Sequence, residues 1–199
     1  MAATGSVRTF AILLRGVTPT GRNRVPMADL RRVLADAGLL DVRTHIQSGN
    51  AVARTGLGAA ALEALVRRVI TREIGADLAI IARTHDQLQR ILAGNPFPLE
   101  AAPRTYFSLL AARPDPAAAA AFAAMDFSPD RATLAGDTVY TLYATRLSDS
   151  RFHNNFFERR LGVAATTRNF NTMSRLLQMT APPGGAGEGQ GHRSEERRV

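Results

Sequence analysis

Three residue types are missing from this chain of 199 residues: cysteine, tryptophan and lysine. Without cysteine there are no disulfides, no thiolate metal sites, no iron–sulfur clusters and no sulfur nucleophile. Without lysine, all 25 basic residues are arginine. No Schiff base can then form and no phosphate-loop lysine is available. Arginine stays protonated in proteins, so general-base work by a basic side chain falls to four histidines. The lack of lysine and the abundance of alanine read most simply as codon bias in a GC-rich genome. The arginine count alone is therefore not a nucleic-acid signature. Long hydrophobic runs are absent too: none approaches the ~18 to 20 residues of a membrane helix. Met1 to Ser6 has no basic segment leading into an apolar stretch. These absences lead to the expectation of a cytoplasmic protein without a membrane partner.

What is present is ordinary globular composition, 45% hydrophobic and 21% charged, enough to bury a core. The net charge is +8. The excess lies in residues 1–84, with twelve arginines against six carboxylates. Such a surface attracts anions.

The periodicity predicts an α+β fold. Phe10 to Val17 is a short apolar run bounded by Gly16 and Pro19, the pattern of a buried strand. Met27, Leu30, Val33 and Leu34 recur at helical spacing behind Pro26, and Gly38 closes that helix. Val42, Thr44 and Ile46 alternate, Ser48-Gly49-Asn50 turns, and a further strand runs from Ala51 to Arg54. A helix through Leu62, Val66 and Ile70 ends at Gly75, before a strand from Leu78 to Ala82. The order β-α-β-β-α-β is the ferredoxin-like plan. A capping-box pattern, Thr84 with Gln87, opens a helix ending at Gly94, and Asn95-Pro96-Phe97-Pro98 forms a rigid connector. A second, weaker copy of the plan follows: strands at 106–111, 131–134, 139–143 and 164–167, with helices at 116–125 and 152–161. Asn171 is expected to cap a last helix carrying Met173, Leu176 and Leu177. The organisation expected is a ferredoxin-like subdomain over 1–84, a helix and connector over 85–103, a second ferredoxin-like subdomain over 104–180, and a disordered tail over 181–199, where little can be buried.

Three polar segments stand out. The first is Arg15 to Arg24, where glycines, Asn23 and the arginines Arg15, Arg22 and Arg24 precede a helix start, a setting suited to anions. The second is His45-Ile46-Gln47-Ser48-Gly49-Asn50, in which Gln47, Ser48 and Asn50 offer hydrogen bonds but also suit a tight turn. The third is Thr166 to Thr172, where Arg168 and Asn169 have no evident structural use. Catalytic signatures are missing: there is no GxSxG, no HExxH and no metal-ligand spacing among His45, His85, His153 and His192. No metal and no cofactor is expected. The strands lack the aromatic pattern of an RNA-recognition motif.

The same segments carry a resemblance. Leu13-Leu14-Arg15-Gly16, Gly21-Arg22-Asn23-Arg24, Met27-Ala28-Asp29-Leu30, Gln47-Ser48-Gly49-Asn50, Asn95-Pro96-Phe97 and Ala165 to Thr172 resemble the motifs of domain of unknown function 1697, a largely bacterial family. The resemblance covers roughly residues 8 to 180. It implies two ferredoxin-like subdomains and no particular reaction. The chain departs from the family pattern at Thr18 and Thr20, where Asn and Gly are usual, and at His45 and Phe170, where Tyr and Trp are. The leading expectation is a module that binds a phosphate-bearing small ligand or a short nucleic-acid segment between the subdomains. Arg15, Arg22, Asn23 and Arg24 would face Arg168 and Asn169, with Gln47, Ser48 and Asn50 alongside. Two alternatives stand beside it: an enzyme using His45 as base, and a protein-interaction module without a small ligand. Oligomeric state is not legible in the sequence.

Overall fold

The structure is a computed structural model that describes residues 6–144 and 146–182. Residues 183–199 of the expected tail lie outside the described residues.

The first half contains β1 (Arg8–Leu14), α1 (Met27–Asp36), β2 (Leu40–His45), β3 (Asn50–Thr55), α2 (Ala59–Ile74) and β4 (Ile80–Thr84). Its sheet is antiparallel with order β2-β3-β1-β4. Helix α3 (His85–Ala93) and a 3-10 turn (Leu99–Arg104) lead to the second half. There β5 (Thr105–Leu110), α4 (Pro116–Ala123), β6 (Arg131–Ala135), β7 (Thr138–Leu142), α5 (Asn154–Leu161) and β8 (Ala165–Asn169) repeat the plan, with sheet order β6-β7-β5-β8. Helix α6 (Phe170–Thr180) follows. Both units are βαββαβ of the ferredoxin-like kind, as the alternating patterns predict.

The continuous apolar run of β1 follows from its surroundings. Phe10, Ile12 and Leu14 pack under α1 and α2 with Leu30, Leu34, Leu62 and Val66. Ala11 and Leu13 point the other way, into a central core shared with Phe107, Leu109 and Tyr140 of the second sheet and with Leu88, Ile91, Met173 and Leu176 of α3 and α6. A strand covered on both faces needs no polar side. A third core, rich in phenylalanine, joins Phe122, Phe152 and Phe157 beneath α4 and α5. The two sheets thus share one apolar layer that α3 and α6 help to fill.

Helix ends follow local chemistry. Gly75 takes a left-handed conformation, φ 82, to stop α2. Thr84 and Gln87 make the expected capping box at α3. The cap of α6 is Asn169, whose Oδ1 accepts from the Thr172 amide, while Asn171 lies inside the first turn. The strand extends further than its apolar residues suggest, because Asn169 still pairs with Tyr106. On the outer edge of the first sheet, β2 slips register between Leu40 and Arg43, where Asp41 adopts φ 51.

Candidate functional site

The polar segments of the sequence meet at the junction of the halves. Arg168, second to last in β8, is buried and reaches across to the first half. Its Nε donates to Asn50 Oδ1 at 2.5 Å. Nη1 donates to Thr166 Oγ1 at 2.8 Å and to the Thr167 carbonyl at 2.9 Å. Nη2 faces the carbonyls of Leu14, Ser48 and Gly49 at 3.0, 3.2 and 3.3 Å. Burial pulls the guanidinium down to about 10, which leaves it protonated at neutral pH. Asn50 is held in turn, donating to the His45 carbonyl and to Ser48 Oγ. Every nitrogen of Arg168 is therefore engaged within the protein, and the residue clips the two halves together.

Arg15 makes a second link across the junction. Its Nε and Nη2 donate to the two carboxylate oxygens of Glu158 on α5, at 2.9 and 2.6 Å. Nη2 also meets Asn155 Oδ1. Burial alone would push Glu158 up. The Arg15 hydrogen bond, the Ala165 amide and the Arg15 charge outweigh that and hold its carboxyl below the usual range. A carboxylate with a lowered folded-state value stabilises fully above its unfolded value, about 4.3 for glutamate. That contribution is lost as pH falls through the lower folded value. Glu158→Gln is expected to be less stable than wild type near neutrality, with the gap narrowing below about pH 4. Urea midpoints from pH 6 to pH 3 give the measurement; a gap that does not change with pH would show that the ionised pair contributes nothing.

The remaining residues are spread out. Asn23 Nδ2 donates to the Gly16 carbonyl at 3.2 Å and braces its own loop. Arg22 and Arg24 are exposed and line a separate groove with Arg32, Asp29 and Glu73. Gln47 is exposed, and His45 is half-buried at the end of the edge strand β2. The structure thus brings Ser48, Asn50 and Arg168 together and leaves Arg22 and Arg24 elsewhere. Among the described residues no cluster of three metal-ligating side chains occurs, and no helix is long and apolar enough to cross a membrane.

A different groove lies between the halves, with a volume of about 290 Å³. Arg83 of β4 enters it from the first half, Gln87 and Arg90 from α3, and Arg113, Asp137 and Thr138 from the second half. Arg83 is only 6% exposed. Its Nη2 donates to the Leu110 carbonyl at 2.6 Å and to Asp137 Oδ2 at 2.9 Å, and its Nη1 to the Ala82 carbonyl at 2.9 Å. Among the described residues, three buried side-chain polar atoms lack a hydrogen-bond partner. Two of them, Arg83 Nε and Thr138 Oγ1, belong to residues of this groove. Arg90 and Arg113 form no ion pair with any described residue. Sequence reasoning passes over this set because its members are scattered from 83 to 138. One signal was available: an arginine near the end of a strand, directly before a helix cap, occurs in both halves as Arg83-Thr84 and Arg168-Asn169.

A family described as Protein of unknown function (DUF1697) matches residues 7–140. The Ala165 to Thr172 motif lies beyond that stretch. Among solved structures, conserved bacterial protein SP0830 from Streptococcus pneumoniae is similar, with a TM-score of 0.71 at 19% identity over 88% of this chain and 100% of that one. A likeness at that identity carries the fold alone. No curated protein matches.

Proposed function

The chain belongs to the Protein of unknown function (DUF1697) family, and from that premise, which supplies a fold and no reaction, we propose that it is a binding module for a compact phosphate-bearing ligand held between its two halves. The observation that carries this reading is the charge of the inter-half groove: Arg83, Arg90 and Arg113 line it with one carboxylate, Asp137. Cations converging in a recess attract multiply charged anions and hydrogen-bond their oxygens. Its volume of about 290 Å³ sits at the small end of the ~300 to 1,000 Å³ usual for ligand pockets. That size favours a phosphate ester over a nucleic-acid segment. Arg15 with Glu158, and Arg168 with Asn50, hold the halves in register around it.

The test is a thermal-shift panel of inorganic phosphate, sugar phosphates, nucleoside monophosphates and short RNA and DNA, repeated at moderate salt. A ligand at a hundred times its dissociation constant adds about 2.7 kcal/mol of stability. The expected result is a shift with small phosphate compounds that survives moderate salt and is lost in the Arg90→Gln/Arg113→Gln double variant. A response confined to nucleic acids that fades steeply with salt would replace this reading with polyanion binding. No shift with any compound would overturn it and favour a protein-interaction module.

A further inference from the structure

The two halves can be overlaid residue by residue through their strand registers. Leu13 pairs with Asn50 in the first sheet as Leu109 pairs with Thr138 in the second. The Leu14 amide donates to the Gly49 carbonyl as the Leu110 amide donates to the Asp137 carbonyl. Arg83 pairs with Ala11, three residues before Leu14, and Arg168 pairs with Phe107, three residues before Leu110. The two arginines are therefore equivalent, and each crosses to the opposite half. Nη2 of Arg83 meets the Leu110 carbonyl, and Nη2 of Arg168 meets the Leu14 carbonyl. Nη1 of each donates to the carbonyl of its own preceding residue, Ala82 or Thr167.

The equivalence breaks at Nε. In Arg168 it donates to the Asn50 amide oxygen. The residue equivalent to Asn50 is Thr138, whose side chain is shorter and whose Oγ1 also lacks a partner among the described residues. The carboxylate of Asp137 does not make up the difference, since it engages only Nη2. Two other guanidiniums in this protein use Nε and Nη2 together on one carboxylate: Arg15 with Glu158, and Arg67 with Asp77 at 2.6 and 3.0 Å. Arg83 thus keeps half of a carboxylate- or phosphate-binding fork unused and buried, and it lines the same groove as Thr138 with its buried, unpaired hydroxyl.

Resting on the reading that the groove binds an anion, we propose that Arg83 Nε and Thr138 Oγ1 are its oxyanion seat, taking a phosphate-type dianion at the place that the Asn50 amide fills in the other half. Asp137 is the internal competitor for the same guanidinium. Arg90 and Arg113 supply the remaining charge, which matches a dianion better than a monocarboxylate.

The internal repeat dictates the test. Thr138→Asn installs in the second half the side chain that closes the first, so the amide oxygen should take Nε and block the seat. Asp137→Asn removes the competing charge and acts in the opposite direction. Calorimetric titration of the full chain with inorganic phosphate, methyl phosphate and acetate is expected to show phosphate and methyl phosphate bound more tightly than acetate. In Thr138→Asn, phosphate affinity should fall about tenfold, the worth of one hydrogen bond to a charged group, with the urea midpoint kept or raised. In Asp137→Asn, phosphate should bind several-fold more tightly. Wild-type binding that a folded Thr138→Asn leaves intact would overturn the seat while leaving an anion-binding groove. Should Thr138→Asn fail to fold, unchanged or weaker binding by Asp137→Asn would overturn it. No binding by wild type or Asp137→Asn would overturn the seat and the proposed function together.

Discussion

Arg168→Ala is expected to lower the unfolding free energy by about 2–6 kcal/mol, because it strips the donor from two buried neutral acceptors at about 1–3 kcal/mol each. Arg168 is 8% exposed, and its acceptors are Asn50 Oδ1, Thr166 Oγ1 and four backbone carbonyls. Truncation leaves the Asn50 oxygen and the Leu14 carbonyl short of a donor, while the Gly49 carbonyl keeps the Leu14 amide, and each buried acceptor left unsatisfied costs about 1–3 kcal/mol. The sum is moderated where water enters. Against a total stability of roughly 5–15 kcal/mol for a domain, such a loss is large. Arg168→Lys keeps the charge but not the planar fork, so it should recover only part of the loss. Urea unfolding of the three proteins gives the comparison. A loss below about 1 kcal/mol, the worth of an ordinary hydrogen bond, would show that the clip does not hold the halves together.

Gly49→Ala should be nearly as damaging, from one methyl group. Gly49 sits at φ 77, and a Cβ placed there would lie 2.6 Å from Val17 Cγ2 and 2.9 Å from Leu14 Cβ. The left-handed backbone costs a side chain about 1–2 kcal/mol. Overpacking adds about 1–3 kcal/mol. The total of about 2–5 kcal/mol falls where the Gly49 carbonyl also meets Arg168 and the Leu14 amide. Gly136 provides the internal control: it has φ 61, and nothing lies within 4 Å of an added Cβ. Gly136→Ala should show the backbone cost alone. Equal losses in the two variants would mean that the chain around Gly49 gives way without cost.

Much of the architecture was legible from short-range rules. The apolar run of β1, the stop of α2 at Gly75 and the capping box at Thr84 each depend on residues within one turn or one strand. Boundaries were less legible. The first strand ends at Leu14 because Gly16 turns away at φ 74, and it starts at Arg8 because that residue still pairs with Thr55. Asn169-Phe170-Asn171 offers two caps two residues apart, and pairing with Tyr106 selects the first, information that lies sixty residues away. The candidate site shows the limit most clearly. In the sequence Arg168 has no evident local use, and its reason is Leu14, Ser48, Gly49 and Asn50, all more than a hundred residues distant. The Arg83 groove was missed because no single segment of it is unusual; only the register of two sheets sets Thr138 where Asn50 would be.

The slipped register at the start of β2 bears on how copies of this chain meet one another. An outer strand exposes unpaired amides and carbonyls that another chain's strand can extend. Here the row is interrupted between Leu40 and Arg43, with Asp41 twisted into a left-handed conformation. The Asp41 carboxylate is tied to Arg54 of the neighbouring strand at 2.7 Å. An incoming strand finds a kinked, charged border in place of a straight ladder, so the irregularity that looks like a defect in pairing guards this edge against open-ended sheet growth.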